Sequence, residues 1–276
     1  MKRAVLLWAA AYGGVRIWFA TGHAPDWKLP GGDLLIPDWV AVAGCLVSAL
    51  AVVAVRSRLL WVLAAGWVAA AGFILLDVVA AVLPGLGIPF DPVGMLSRLG
   101  AITGAVLLGL LARTHQQRRS SPWPAWISTT AASLAVAGCL TRLAAQAAVG
   151  FDRTPYGGNL SLIVFEGGFV LVGTVLPFLL AHPIGRLFPR WMLLLPGFGI
   201  GAGMTAYFGV GLIQMVVATL QGDPIFADIN LPGSFFWVAV PAYVVWGAGL
   251  TIAARGYQLA LLPVQNGGEK VTAAAE

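Results

Sequence analysis

The chain has 276 residues, of which 59% are hydrophobic and only 10% charged, and its mean hydropathy is +0.87. A soluble domain carries roughly 25% charged residues. A soluble core of this length cannot hide so much apolar surface, which excludes a soluble globular protein and specifies an integral membrane protein.

A membrane-crossing helix needs about 20 apolar residues. The opening stretch MKRAVLLWAAAYGG has the basic start of a signal peptide, but Arg16 interrupts it and no small-x-small cleavage site follows. It reads as a retained first span over 4–21. Further spans are expected at 39–55, 59–83, 94–112, 125–149, 161–181, 191–219 and 235–254. The connections between them, such as HAPDWKLPGG, PGLGIPFDP, RTHQQRRSSPWP and QGDPIFADINLPG, hold turn-formers or charge. The short link at 56–58 makes spans two and three a tight antiparallel hairpin. Residues 257–276, ending in NGGEKVTAAAE, are expected to be a disordered cytoplasmic tail. The fold class is therefore all-α, with eight transmembrane helices.

Lys and Arg of the connecting loops set the orientation. With the N-terminus and C-terminus both cytoplasmic, the inner segments hold Lys2, Arg3, Arg56, Arg58, Arg113, Arg118, Arg119, Arg186, Arg190, Arg255 and Lys270, against Lys28 and Arg153 outside. The outer loops are acidic, with Asp26, Asp33, Asp38, Asp91, Asp152, Asp223 and Asp228. The net charge of +5 thus follows from topology rather than from a nucleic-acid partner. Trp27, Trp39, Trp61, Trp123, Trp126, Trp191 and Trp237 fall at span ends, as an interfacial belt requires.

The chain also echoes itself. Arg16 is followed fifteen residues later by GGDL at 31–34, and Arg142 fifteen residues later by GGNL at 157–160. DVVAAVLPGLGIPFD at 77–91 aligns with QMVVATLQGDPIFAD at 214–228, placing Asp77 on Gln214 and Asp91 on Asp228. Two parallel four-helix repeats are expected, over 1–119 and 120–256, related by an axis along the membrane normal.

Six polar residues lie inside the expected spans: Arg16, Asp77, Arg98, Arg142, Glu166 and Gln214. Each is within about two helical turns of the outer end of its span. Asp77 and Arg98 lie at equal depth across one outer loop, and Arg142 and Glu166 stand in the same relation one hairpin later. Arg16 has Asp38 at the mouth of span two.

Two readings follow. In the first, these groups neutralise one another and hold helices together, and the protein is a non-catalytic accessory or assembly protein. In the second, the layer lines a cavity open to the outside. Within the spans three arginines face two carboxylates, and a surplus guanidinium fork suits a carboxylate or phosphate. The leading expectation is a small permease or lipid-handling protein that binds an anionic small molecule or lipid headgroup in the outer half of the bilayer. Arg16, Arg98 and Arg142 would hold the anion, Asp77 and Glu166 would orient them, and Gln214 would complete the layer. An intramembrane enzyme, or proton transfer on Asp77 or Glu166, would have to use the same residues.

Other signatures are missing. HExxH, GxSxG, CxxC and a phosphate-cradling loop are absent, and His23, His115 and His182 sit in separate loops. No cofactor or metal is expected. Cys45 and Cys139 lie in apolar runs and read as small core residues. In PGFGIGAGMTAYFGVG, the GxxxG spacings Gly197/Gly201 and Gly199/Gly203 indicate close helix packing, while Pro177 and Pro241 are expected to kink their spans.

The stretch LLDVVAAVLPGLGIPFDPVGMLSRLGAITGAVLLG, with the outer LPGGDLL, resembles a group of uncharacterised polytopic membrane proteins of high-GC actinobacteria. The resemblance implies a bacterial plasma-membrane location and an eight-span architecture, and carries over no activity.

Overall fold

The computed structural model describes residues 1–28, 32–54, 57–83, 86–116, 123–151, 160–223 and 231–261, without the side chains of 116 and 160–162. Its regular structure is helical throughout. In chain order the helices are α1 (Lys2–Trp18, continued by a π turn, Phe19–His23), α2 (Asp38–Ala54), α3 (Ser57–Ala70), α4 (Ile74–Val82) and α5 (Pro92–Gln116). They are followed by α6 (Ala125–Val149), α7 (Leu160–Ala181), a 3₁₀ turn (Pro183–Leu187), α8 (Arg190–Gln221) and α9 (Gly233–Ala260).

Among the described residues, six helices are long and apolar enough to cross a membrane: α1 with its π turn, α5, α6, α7, α8 and α9. The third expected span is not one straight helix. It is α3 and α4 in succession, bent by 46°. The second, α2, is apolar but only 17 residues long. Residues 55–56, in the tight hairpin, lie outside the described residues, as do Gly31, 84–85, 157–159 and 224–228 of the echoed stretches and 262–276 of the tail.

The break between α3 and α4 has a local cause. The α1–α2 connection does not stay on the surface but folds into the protein, burying Asp33 and Leu34. The Leu35 N–H donates to the Ala70 carbonyl at 2.9 Å, satisfying an acceptor that a continuous helix would have used. Gly72 makes room for this: a Cβ there would lie 2.7 Å from Leu35 Cδ1 and 3.2 Å from the Tyr207 Cα of α8.

Helices α1, α2, α3 and α5 bury one core, built around Trp8, Tyr12, Trp67 and Leu108. Helices α6–α9 bury another, around Cys139, Met204, Tyr243 and Trp246, and Leu75 of α4 packs against it. Several helix pairings recur in each half, although α7 also packs on α9. The first helix packs on the second and on the last, and the third packs on the last, with α3–α4 taken together as the third. The halves meet where α3 and α4 lie against α8. Cys45 and Cys139 are both buried and unpaired, as expected of core residues.

Small residues set the closest helix crossings. Gly201 of α8 faces Gly247 and Thr251 of α9, and Gly197 faces Ala254, whereas Gly199 meets nothing within 4 Å. Only the first of the two GxxxG spacings is therefore fully a packing seam. Helices α7 and α9 continue through Pro177 and Pro241 as single helices. A close backbone approach suited to a test is at Gly249, where a Cβ would lie 2.6 Å from the Ala131 carbonyl oxygen and 2.9 Å from the Ala135 nitrogen, both backbone atoms of α6. Gly249→Ala is expected to destabilise the detergent-solubilised protein by about 1–3 kcal/mol, the cost of overpacking. Gly199→Ala serves as the control and should be neutral or slightly stabilising in the same thermal unfolding measurement.

Candidate functional site: two buried arginine networks

Arg16 stands in the last turn of α1, six residues before the backbone turns at Gly22, whose φ of 95° suits glycine. Its side chain is fully buried. Nη2 donates to Asp33 Oδ2 at 2.6 Å, to the Tyr12 hydroxyl at 2.7 Å and to Ser97 Oγ. Nη1 donates to Asp33 Oδ1 at 3.1 Å and to Asp38 Oδ1 at 2.9 Å. Tyr12 lies one helical turn below Arg16, so its hydroxyl reaches the guanidinium and then donates to the Ser97 carbonyl at 2.9 Å. The expected partner Asp38 is present, but the better-buried one is Asp33, which the sequence assigns to an outer loop.

Asp33 also ties Arg16 to Arg98. The Arg98 Nε donates to the Asp33 carbonyl at 2.6 Å, while its Nη1 donates to both Asp77 oxygens at 2.7 and 2.6 Å. Arg98 and Asp77 are both fully buried, and the pair forms across the α4–α5 connection as the equal depth predicts. Close by, Asp91 caps α5 by accepting from the Gly94 N–H at 3.0 Å and also accepts from the Lys28 N–H at 3.2 Å. The guanidinium of Arg16 lies 5.0 Å from the Tyr12 ring centre and that of Arg98 5.6 Å from Phe73, so each cation also faces an aromatic ring.

The second network is smaller. Arg142 of α6 donates through Nη2 to Glu166 Oε1 at 2.7 Å and through Nη1 to Glu166 Oε2, a bidentate pair between α6 and α7. Its Nε donates to the Tyr243 hydroxyl of α9 at 2.6 Å. One turn further along α6, buried Gln146 donates to the Gly150 carbonyl at 2.9 Å and closes the helix end. In both halves, then, an arginine on the first helix pairs with carboxylate and with a tyrosine hydroxyl.

Gln214 does not join either network. It is exposed on α8, and the neighbouring Met215 takes the buried face instead. Of the six expected layer residues, the structure gathers Arg16, Arg98 and Asp77 into one network and Arg142 and Glu166 into another. Sequence reasoning missed Tyr12, Tyr243, Ser97 and the buried role of Asp33. The one available signal was the helical spacing of Tyr12 to Arg16, because the other contacts are made between helices.

These contacts change the charge count. Among the described residues, the salt bridges join three arginines to four carboxylates, Asp33, Asp38, Asp77 and Glu166. The surplus arginine counted within the spans disappears once the two loop aspartates are folded in. Every Nη atom of Arg16, Arg98 and Arg142 has a protein acceptor, and the buried Nε of Arg16 is the one guanidinium donor of the three without one.

A cavity of about 290 Å³ lies between the halves, walled by α4, α7, α8 and α9 through Val79, Leu83, Phe165, Phe169, Met204 and Trp246 among others. Its wall is apolar, and none of the six layer residues belongs to it. The buried Trp246 Nε1 has no acceptor among the described residues. No three His, Cys, Asp or Glu side chains converge to hold a metal among those residues.

Among the described residues, fold and site together define an all-helical protein with six membrane-length helices and charged side chains buried among them. Compared with known protein families, curated proteins and solved structures, the chain matches none.

Proposed function

We propose that this is a multi-pass membrane protein of the accessory or assembly kind, in which the intramembrane arginines are structural and hold the helices in register. The observation that carries this reading is that each of the three arginines is already neutralised by a protein carboxylate, with an acceptor on every Nη atom. We also propose eight spans, counting α2 and the bent α3–α4 pair. They would form two parallel repeats over 1–119 and 120–256, with both termini cytoplasmic in a bacterial plasma membrane. The recurring helix pairings support the repeats, and the eleven-to-two loop bias of Lys and Arg supports the orientation.

The test is a pair of variants in the folded, detergent-solubilised chain. Arg142→Ala strands a half-buried Glu166 and is expected to cost about 2 kcal/mol, near the loss of a charge-assisted hydrogen bond. Adding Glu166→Ala should recover part of that loss in thermal unfolding. A folded Arg142→Ala protein of unchanged stability that no longer co-purifies with anionic lipid would overturn the structural reading.

A second reading, a small permease or lipid-handling protein, is favoured by the apolar cavity. Phe165 and Phe169 of its wall flank Glu166 on α7, and Arg142 and Glu166 keep 9% and 16% of their side-chain surface accessible. An amphiphile could place its tail in the cavity and its polar end beside that pair.

A further inference from the structure

At the opposite end of the helices from the arginine–carboxylate networks, two cations meet over one neutral group. Arg113 stands in the last turn of α5 and donates through Nη2 to Gln258 Oε1 at 2.9 Å. Arg255, near the end of α9, donates through Nη1 to the same oxygen at 2.7 Å. Both side chains are half-buried. Neither takes part in a salt bridge among the described residues, where Arg16, Arg98 and Arg142 hold the carboxylates.

Two guanidiniums sharing one amide oxygen repel each other, and partial burial weakens the screening that would relieve them. The C-terminus of α5 offers Arg113 a favourable dipole, but Arg255 lies before the last turn of α9, so helix dipoles do not explain why the two converge. Convergence is what an anion between them stabilises. Each guanidinium has five N–H donors and spends one on Gln258, and the Gln258 amide nitrogen keeps its own N–H groups. The donors left without an acceptor among the described residues match the oxygens of a phosphate group, which arginine forks bind in a bidentate way.

Position narrows the source. The pair sits between the two halves, near the ends of two membrane-length helices, α5 from one half and α9 from the other. Exposed Arg186 and Arg190 lie in connections assigned to the same face by the loop-charge bias. Basic pockets between transmembrane helices on the cytoplasmic side are suited to acidic headgroups. We propose that Arg113, Arg255 and Gln258 form a phosphate site that takes the headgroup of an anionic phospholipid and pins the two halves together. This site is separate from the charge networks above and stands whether or not they are structural.

The test uses the full chain in neutral detergent, titrated with phosphatidylglycerol, phosphatidylcholine or inorganic phosphate. Bound lipid is read by native mass spectrometry and stability by thermal unfolding. Phosphatidylglycerol should bind and raise the melting temperature, whereas phosphatidylcholine should do neither. If inorganic phosphate gives the same rise, the site is upheld with a free anion as its ligand. Arg255→Gln should weaken phosphatidylglycerol binding about ten-fold, the equivalent of one charge-assisted hydrogen bond. Gln258→Glu supplies an internal carboxylate between the guanidiniums, so it should raise the melting temperature without lipid and abolish the response to phosphatidylglycerol. Equal binding of the two lipids, or phosphatidylglycerol binding that neither variant changes, would overturn the proposal.

Discussion

Asp77→Asn is expected to destabilise this protein by about 3–5 kcal/mol, the usual cost of removing one partner from a buried ion pair. Both Asp77 and Arg98 are fully enclosed, and among the described residues Asp77 is the one carboxylate paired with Arg98, accepting from Nη1 at 2.7 and 2.6 Å. Asparagine keeps the volume and one acceptor, so no cavity forms and the loss reports on charge. The backbone carbonyls of Asp33 and Gly32 remain as acceptors for Nε and Nη2, but carbonyl dipoles do not neutralise a guanidinium. Arg98→Met should be equally costly, because it strands the carboxylate instead. The double change Asp77→Leu with Arg98→Met removes both charges and should return most of the stability, since apolar replacement of a whole buried pair is often neutral or better. Equilibrium unfolding in mixed micelles measures all three. An Asp77→Asn protein within about 0.5 kcal/mol of the parent would mean that water reaches the pair and that its burial contributes little.

How much of this was legible in the sequence depended on whether a contact stays within reach of its own hairpin. Asp77 with Arg98 and Arg142 with Glu166 could be paired from depth alone, because each pair lies on helices joined by one connection, and 1.5 Å per residue fixes depth. Asp33 could not. Its GGD setting reads as a surface turn, and nothing in one-dimensional patterning says that a polar loop enters the protein to meet Arg16 and Arg98. The bend at residues 71–73 was hidden for the same reason, because it arises from Leu35 donating to Ala70 across the fold. Gln214 shows the reverse error. Its alignment with Asp77 placed it in the layer, yet the rotation of α8 turns Met215 inward and leaves Gln214 exposed. Apolar runs of about 20 residues located eight expected spans, six of which are membrane-length helices among the described residues. The short α2 and the broken α3–α4 were legible as apolar stretches but not in their geometry.

The loop aspartate that escaped sequence reasoning should also be the most informative to remove. Asp33→Ala is expected to cost about 3 kcal/mol, because it deletes two charge-assisted hydrogen bonds to Arg16. It should cost less than Asp77→Asn because Arg16 keeps Asp38 at 2.9 Å as a second counter-ion. Asp38 is itself 28% accessible, so Asp38→Ala alone should cost no more than about 1 kcal/mol. Removing both leaves a fully buried guanidinium with only hydroxyl partners, Tyr12 and Ser97. The double variant should therefore lose more than the two single losses together, with a coupling of about 1–3 kcal/mol in a double-mutant cycle. A purely additive result would show that Asp33 and Asp38 do not share the charge of Arg16. Local stability gives a second readout. The Asp33 carboxylate also accepts from the Leu34 N–H, and the next amide, Leu35, latches onto Ala70 at the α3–α4 bend. Losing the Arg16 anchor should release that segment first. Amide exchange at Leu34 and Leu35 should accelerate in Asp33→Ala, while amides in the α6–α9 core, around Leu250 and Ala253, keep their protection. Uniform acceleration across both halves would instead mean that the network holds the whole molecule, with no separable opening of the α1–α2 connection.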